Sequence, residues 1–183
     1  MRNDPVDPIR ELRLRSDGPA QTKAIGAAMA PALAVGDVLV LTGDLGAGKT
    51  CFTQGLGRAL GIDDPITSPT FTLANRYAGR LVLHHLDAYR LDGEDDAADL
   101  ALDELQETGV TVIEWGDRIA GLLPSGRLDL AFRYPELGDD VSTAGDELDR
   151  RLIDVSGPVG ERGLDVLLAR WVDRAASETG GRR

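Results

Sequence analysis

Apolar residues recur along this chain with two periods, and the switches between them mark out strands and helices in alternation. Leu12 and Leu14 alternate with Arg13 and Arg15, which predicts a short half-buried strand. Ser16-Asp17-Gly18-Pro19 then supplies capping groups and an early proline, and Ile25, Ala28, Met29, Ala32 and Leu33 repeat at helical spacing. Pro31 lies inside that stripe, so the helix stops near Ala30 or kinks there. After a Gly36-Asp37 turn the unbroken run Val38-Leu39-Val40-Leu41 reads as a buried strand. Beyond it Phe52, Leu56 and Leu60 share one face of a helix that Gly61 ends, with Gly55 and Gly57 permitting close packing.

The second half continues the alternation. Thr70 to Tyr77 and Leu81 to Tyr89 read as two strands around Ala78-Gly79, most simply a β-hairpin. Asp92 to Glu107 holds acids and no base around a stripe of Ala98, Ala101, Leu102 and Leu105. That pattern predicts one helix whose acidic face is either solvated or a dock for a basic partner. Val110 to Trp115 is a buried strand carrying Glu114, and Leu128, Leu130 and Phe132 alternate in another. An acidic loop, Pro135 to Asp149, leads to Leu152-Ile153-Asp154-Val155, and Leu164, Leu167, Leu168, Trp171 and Val172 form a last helical stripe. The chain thus divides into a disordered start (1–8), one domain (9–157), and an amphipathic helix with a frayed tail (158–183).

Between the first buried strand and the following helix stands Gly43-Asp44-Leu45-Gly46-Ala47-Gly48-Lys49-Thr50, the spacing G-x-x-x-x-G-K-[ST]. Glycines there let successive N–H groups turn toward a triphosphate while the helix N-terminus points its positive end at the same place. Lys49 then reaches the β- and γ-phosphates, and the Thr50 hydroxyl takes one position on Mg²⁺. Gly46, Ala47, Gly48, Lys49, Thr50 and Cys51 are the nucleotide-binding set. The fold class expected is α/β: a P-loop NTPase-like, three-layer domain with a mixed central sheet and a β-hairpin after the P-loop helix.

Such a loop needs an acid behind the metal, at the end of a neighbouring apolar strand. Glu114 ends the more uniformly apolar of two such strands and is favoured as the metal-side group, directly or through water. Asp87 ends Leu81 to Leu86, and alternation sets it with His85 and Tyr89 on one polar, cleft-lining face. It is the candidate for orienting the attacking water or supporting the metal shell, against an ion pair with Arg90 or another surface base. Adjacent His84 and His85 point to opposite faces, so they cannot chelate one ion together and are read as structural or hydrogen-bonding. Thr70, after Ser68-Pro69, is either a switch-like residue brought to the γ-phosphate or part of a turn. Trp115 is core packing or a wall near the nucleotide.

Composition narrows the setting. At 183 residues, 42% hydrophobic and 4% aromatic, the chain fits one domain of ordinary core size. No apolar run approaches the ~20 residues of a membrane span, and the polar start lacks a signal-peptide core, which predicts a cytoplasmic protein and no membrane partner. Cys51 is the single cysteine, so no internal disulfide forms. A formal charge of −11 makes a broad nucleic-acid-binding face unfavourable, so any RNA-linked role runs through protein partners.

With those residues in view the sequence resembles the TsaE family, the P-loop ATPase needed in bacteria to make threonylcarbamoyladenosine beside the tRNA anticodon. The likeness runs from about Leu14 to Val155 through the P-loop, Ser68-Pro69-Thr70-Phe71-Thr72-Leu73, His85-Leu86-Asp87-Ala88-Tyr89-Arg90, and Glu114-Trp115. It implies ATP held by Gly46 to Cys51, Mg²⁺ at Thr50 and Glu114, and a required Asp87. It further implies weak ATPase activity alone, coupled to a complex with the TsaB and TsaD proteins, tRNA being met only through that complex. Cys51 stands where the family often has a threonine or serine, and Gly116 where a proline often follows the tryptophan. A Ras-type GTPase is disfavoured because no N-K-x-D segment occurs. A small-molecule P-loop kinase, or a nucleotide-dependent adaptor whose hydrolysis is incidental, are the alternatives.

Overall fold

Strand β2 (Val38–Thr42) runs through the middle of the molecule with its first four residues buried, because helices cover both of its faces. The computed structural model describes residues 9–97, 100–136, 139 and 149–158. In chain order these form β1 (Ile9–Ser16), α1 (Pro19–Met29), β2, α2 (Lys49–Ala59), β3 (Ala74–Tyr77), β4 (Leu83–Asp87), α3 (Glu94–Ala97), α4 (Leu102–Thr108), β5 (Val110–Glu114), β6 (Leu128–Arg133) and β7 (Arg151–Pro158). The strands make one mixed sheet in the order β1-β7-β6-β2-β5-β4-β3. β2 is parallel to β5 and β6, β4 is parallel to β5, and the outer pairs are antiparallel.

Strand alternation divides the core between the two faces. Leu39 and Leu41 of β2 join Ile25 and Met29 of α1, and Phe52 and Leu56 of α2, on one side. Val38 and Val40 point the other way, onto Leu86, Leu91, Ala97, Ile119 and Leu123. Phe52 meets Phe132 of β6 edge to face, with centroids 5.8 Å apart, which fastens α2 to the sheet just behind the P-loop. At the antiparallel edge, Arg133 donates to Asp139 and Asp154, and Arg13 also reaches Asp154, tying β6, β7 and β1 together. Those guanidinium contacts hold the Asp139 carboxyl down at about 2.

The α/β order, the three layers, the hairpin and the end of the first helix are as the hydrophobic pattern predicts; two details differ. The hairpin strands are shorter than expected, so residues 78–82 connect them. Gly79 fits tightly there against the end of α2, where Arg80 N donates to Leu60 O. The single acidic helix expected over Asp92–Glu107 is two short helices, because Ala101 takes a left-handed conformation (φ 45°) at the N-terminus of α4, and its side chain is exposed rather than part of the stripe. Helix α1 ends at Met29 and tightens into one 3₁₀ turn, Ala30–Ala32, as Pro31 requires. The expected disordered start (1–8), and the C-terminal helix and tail beyond Pro158, lie outside the described residues.

Helices α1 and α2 touch backbone to backbone. A Cβ on Gly55 would overlap the Lys23 carbonyl, and one on Gly26 would overlap that of Phe52. Alanine in a helix is intrinsically better than glycine by about 1 kcal/mol. Overpacking against rigid backbone costs about 1–3 kcal/mol, so the loss outweighs the gain. Gly55→Ala therefore lowers stability in urea unfolding by more than Gly57→Ala, whose added methyl meets mainly the mobile end of Ile66. Equal midpoints for the two variants would contradict this packing.

Candidate functional site

The loop between β2 and α2 is shaped by glycines at positions where other residues are strained. Gly48, at φ 107°, caps α2, and the first helical hydrogen bond runs from Phe52 N to Gly48 O. The amides of Lys49, Thr50 and Cys51 precede that bond and emerge from the helix end, where the dipole favours an anion. They open onto a cleft of about 380 Å³ lined by both halves of the chain, from Leu45–Cys51 to Ser68, Thr70, Asp87, Tyr89, Glu114 and Trp115.

Lys49 is buried, and its ammonium donates to the carbonyls of Gly43 (2.6 Å) and Asp44 (2.8 Å). Burial pulls its pKa below the ordinary lysine value, while Glu114, Asp87 and Asp44 act in the opposite direction. The Lys49 Nζ also lies 3.9 Å from the centroid of the Trp115 ring. Trp115 holds that position through a left-handed backbone (φ 60°) directly after β5, with its N–H bonded to Leu41 O. Its ring meets Tyr89 at 5.0 Å and also packs against the second core cluster. Trp115 thus packs against the core, as expected, and also lines the cleft.

Parallel pairing of β2 with β5 sets Leu41 opposite Glu114, which brings the glutamate beside the loop. Thr50 Oγ1 donates to Glu114 Oε1 at 2.8 Å, and His85 Nε2 lies 2.9 Å from the same oxygen. This arrangement suits Mg²⁺. A threonine hydroxyl has one proton, and giving it to the carboxylate leaves its lone pairs facing a cation. Among the described residues there is no cluster of three or more His, Cys, Asp or Glu able to hold a metal.

Asp87 ends β4 directly beside Glu114 in the register, and it is buried. Its Oδ2 accepts from Ser68 Oγ (2.9 Å) and from Thr70 Oγ1, and its Oδ1 from the Tyr89 amide (2.9 Å). Asp87 thus holds Ser68 and Thr70 at the cleft, a contact that the sequence did not predict. The competing ion pair with Arg90 does not form, since that guanidinium stacks on Phe71, 4.3 Å from the ring centroid. His85 joins Leu83 and Asp87 on one face of β4, but it is fully buried rather than cleft-lining. Cys51 donates its thiol to Pro19 O at 3.3 Å, and burial pushes its pKa up, so it is no activated nucleophile.

Sequence patterning missed Arg151 and Tyr134. Arg151, at the start of β7, donates to the carbonyls of Ala47 and Gly46 (3.2 Å each) and stacks on Tyr134 at 4.0 Å. It braces the P-loop through those carbonyls. Nothing local marks Arg151, because the loop carbonyls it holds lie 104 and 105 residues away in sequence. Leu45 and Phe71, 84% and 83% exposed, stand on the loop and the switch-like segment that flank the cleft. No helix among the described residues is long and apolar enough to cross a membrane.

The family model described as threonylcarbamoyl adenosine biosynthesis protein TsaE matches residues 16–140. A TsaE protein of Treponema pallidum is 46% identical over 123 residues, covering 67% of this chain and 91% of the relative. One of Bacillus subtilis is 44% identical over 134 residues, covering 72% and 82%. The crystal structure of Bacillus subtilis YdiB superposes with a TM-score of 0.68 at 36% identity, over 92% of this chain and 98% of that one. The family match spans the P-loop, the switch-like segment, Asp87 and Glu114 alike, and the chain belongs to the TsaE family, a P-loop family of tRNA threonylcarbamoyladenosine biosynthesis.

Proposed function

We propose that this protein is a Mg²⁺-dependent ATPase that drives or resets the complex making threonylcarbamoyladenosine on tRNA, acting in the cytosol with TsaB and TsaD. The observation that carries the reading is the convergence of Lys49, Thr50, Glu114 and Asp87 on one cleft at the P-loop helix. The amides of Gly46 to Cys51 hold the phosphates, and Lys49 turns from the loop carbonyls to the β- and γ-phosphates. Mg²⁺, when bound, would supply charge neutralisation to hydrolysis. Thr50 and Glu114 would hold that ion, the glutamate directly, through its contact with the threonine or through water. Asp87 orients the attacking water and takes up its proton, once Ser68 and Thr70 share their hydrogen bonds with the phosphate.

Among the described residues lining the cleft none is an arginine. A cationic finger for the charge on the transferring phosphoryl group is therefore assigned to a partner, and turnover alone is slow. A partner's cation of this kind contributes about 10³–10⁵ in rate. Leu45 and Phe71, exposed on either side of the cleft, are where a partner seated over it would make contact. One observation favours an adaptor instead: both Asp87 oxygens are already engaged by Ser68, Thr70 and the Tyr89 amide, as suits a structural latch.

Multiple-turnover synthesis of threonylcarbamoyladenosine decides between these readings, using purified TsaB, TsaD, the enzyme that makes the carbamoyl-adenylate, tRNA and ATP, with or without this chain. The native chain raises turnover. Lys49→Ala loses on the order of 10² or more of that stimulation, as removal of a preorganised charge-stabilising donor does. Asp87→Ala falls by about 10²–10⁴ if it handles the proton. Full function in Asp87→Ala with none in Lys49→Ala would select the adaptor, and no effect of a native chain that still binds ATP would reject the assignment.

ATP hydrolysis by the isolated chain, followed by phosphate release, rises by roughly tenfold or more when TsaB and TsaD are added. An unchanged rate in their presence would contradict the incomplete site.

A further inference from the structure

His85 is fully buried on β4, between β5 and the edge strand β3, yet it is a costly choice for that place. Its Nδ1 is buried with no hydrogen-bond partner among the described residues, a penalty that leucine in the same volume would not carry. The return lies at the other ring nitrogen. A carboxylate only accepts, so Nε2 donates to Glu114 Oε1 across 2.9 Å, with both side chains shielded from water. Thr50 Oγ1 donates to the same oxygen at 2.8 Å. Two donors from different elements, β4 and α2, fix the rotation of one carboxylate and commit Oε1, leaving Oε2 as the oxygen that neither takes. The register supports this division of work: Asp87 stands opposite Glu114, while His85 stands one pleat back, opposite Val112, and reaches forward.

We infer that His85 is a positioning residue for the metal side of this site, holding Glu114 in the orientation in which it and Thr50 present their lone pairs to a divalent cation. The inference rests on the ATPase reading and deepens it, because it assigns the motif histidine a task separate from that of Asp87. Ligand-orienting hydrogen bonds of this kind are worth about 10- to 100-fold in metal affinity. His85 itself does not touch the ion or the nucleotide.

The test is the Mn²⁺ affinity of the full chain with saturating ADP, read from the free-Mn²⁺ signal in electron paramagnetic resonance, beside ADP affinity in EDTA. His85→Leu weakens Mn²⁺ binding about 10- to 100-fold and leaves metal-free ADP binding within about twofold. His85→Gln, whose amide nitrogen reaches the Nε2 position, binds Mn²⁺ within about threefold of native, while His85→Asn, whose amide stops short, behaves like leucine. If His85→Leu does not fold by circular dichroism, the glutamine and asparagine variants decide between them. Native-like Mn²⁺ affinity in a folded His85→Leu, or equal affinity in the glutamine and asparagine variants, would overturn the inference while leaving the ATPase reading intact. A native chain that binds ADP but no Mn²⁺ would overturn both.

Discussion

The parallel pairing of β2 with β5 is the constraint on which the rest of the cleft depends. It sets Leu41 opposite Glu114, so the strand that launches the P-loop and the strand that ends in the metal-side acid finish at the same height. Once they do, Thr50 on the first turn of α2 and His85 on the next strand are both within reach of one carboxylate oxygen. Trp115, immediately after Glu114, is turned back over Lys49 by its left-handed backbone. Parallel strands need helices on both faces, and those helices supply the two apolar clusters that hold the register. Packing, topology and site geometry are thus one arrangement: slipping β5 by a residue would turn Glu114 to the other face of the sheet and empty the cleft of its metal-side acid.

Two cations take the carbonyls of the P-loop. Lys49 occupies those of Gly43 and Asp44, and Arg151 those of Gly46 and Ala47. Peptide planarity then turns the amides that follow these carbonyls away from the two cations. The loop's shape is therefore built in part by residues that no loop motif contains. Asp87 plays a matching part on the far wall, where it gathers Ser68, Thr70 and the Tyr89 amide around one carboxylate.

Much of this was legible in the sequence, for identifiable reasons. The run Val38–Leu41 has no polar position and leads into a glycine-rich turn, so a buried strand, the loop and a helix follow from local chemistry. Asp87 and Glu114 were readable because each is an acid at the end of an apolar strand. The break at Ala101 was not, since alanine favours helix and nothing in its side chain signals a φ of 45°. Arg151 was hidden because its partner loop lies about a hundred residues away in sequence. His85 was legible as a histidine on a strand, but its role emerged only when β4 and β5 were aligned, because the contact joins neighbouring strands one pleat apart.

The central claim is that Thr50 and Glu114 form the protein half of a Mg²⁺ site facing a nucleotide on the P-loop. A crystal structure of the chain with Mg²⁺ and a non-hydrolysable ATP analogue tests it most directly. The account predicts one ion bridging the β- and γ-phosphates, ligated by Thr50 Oγ1, with Glu114 bound to it or one water away and His85 Nε2 still on the glutamate. An ion held elsewhere, with Glu114 turned from the phosphates, would contradict it.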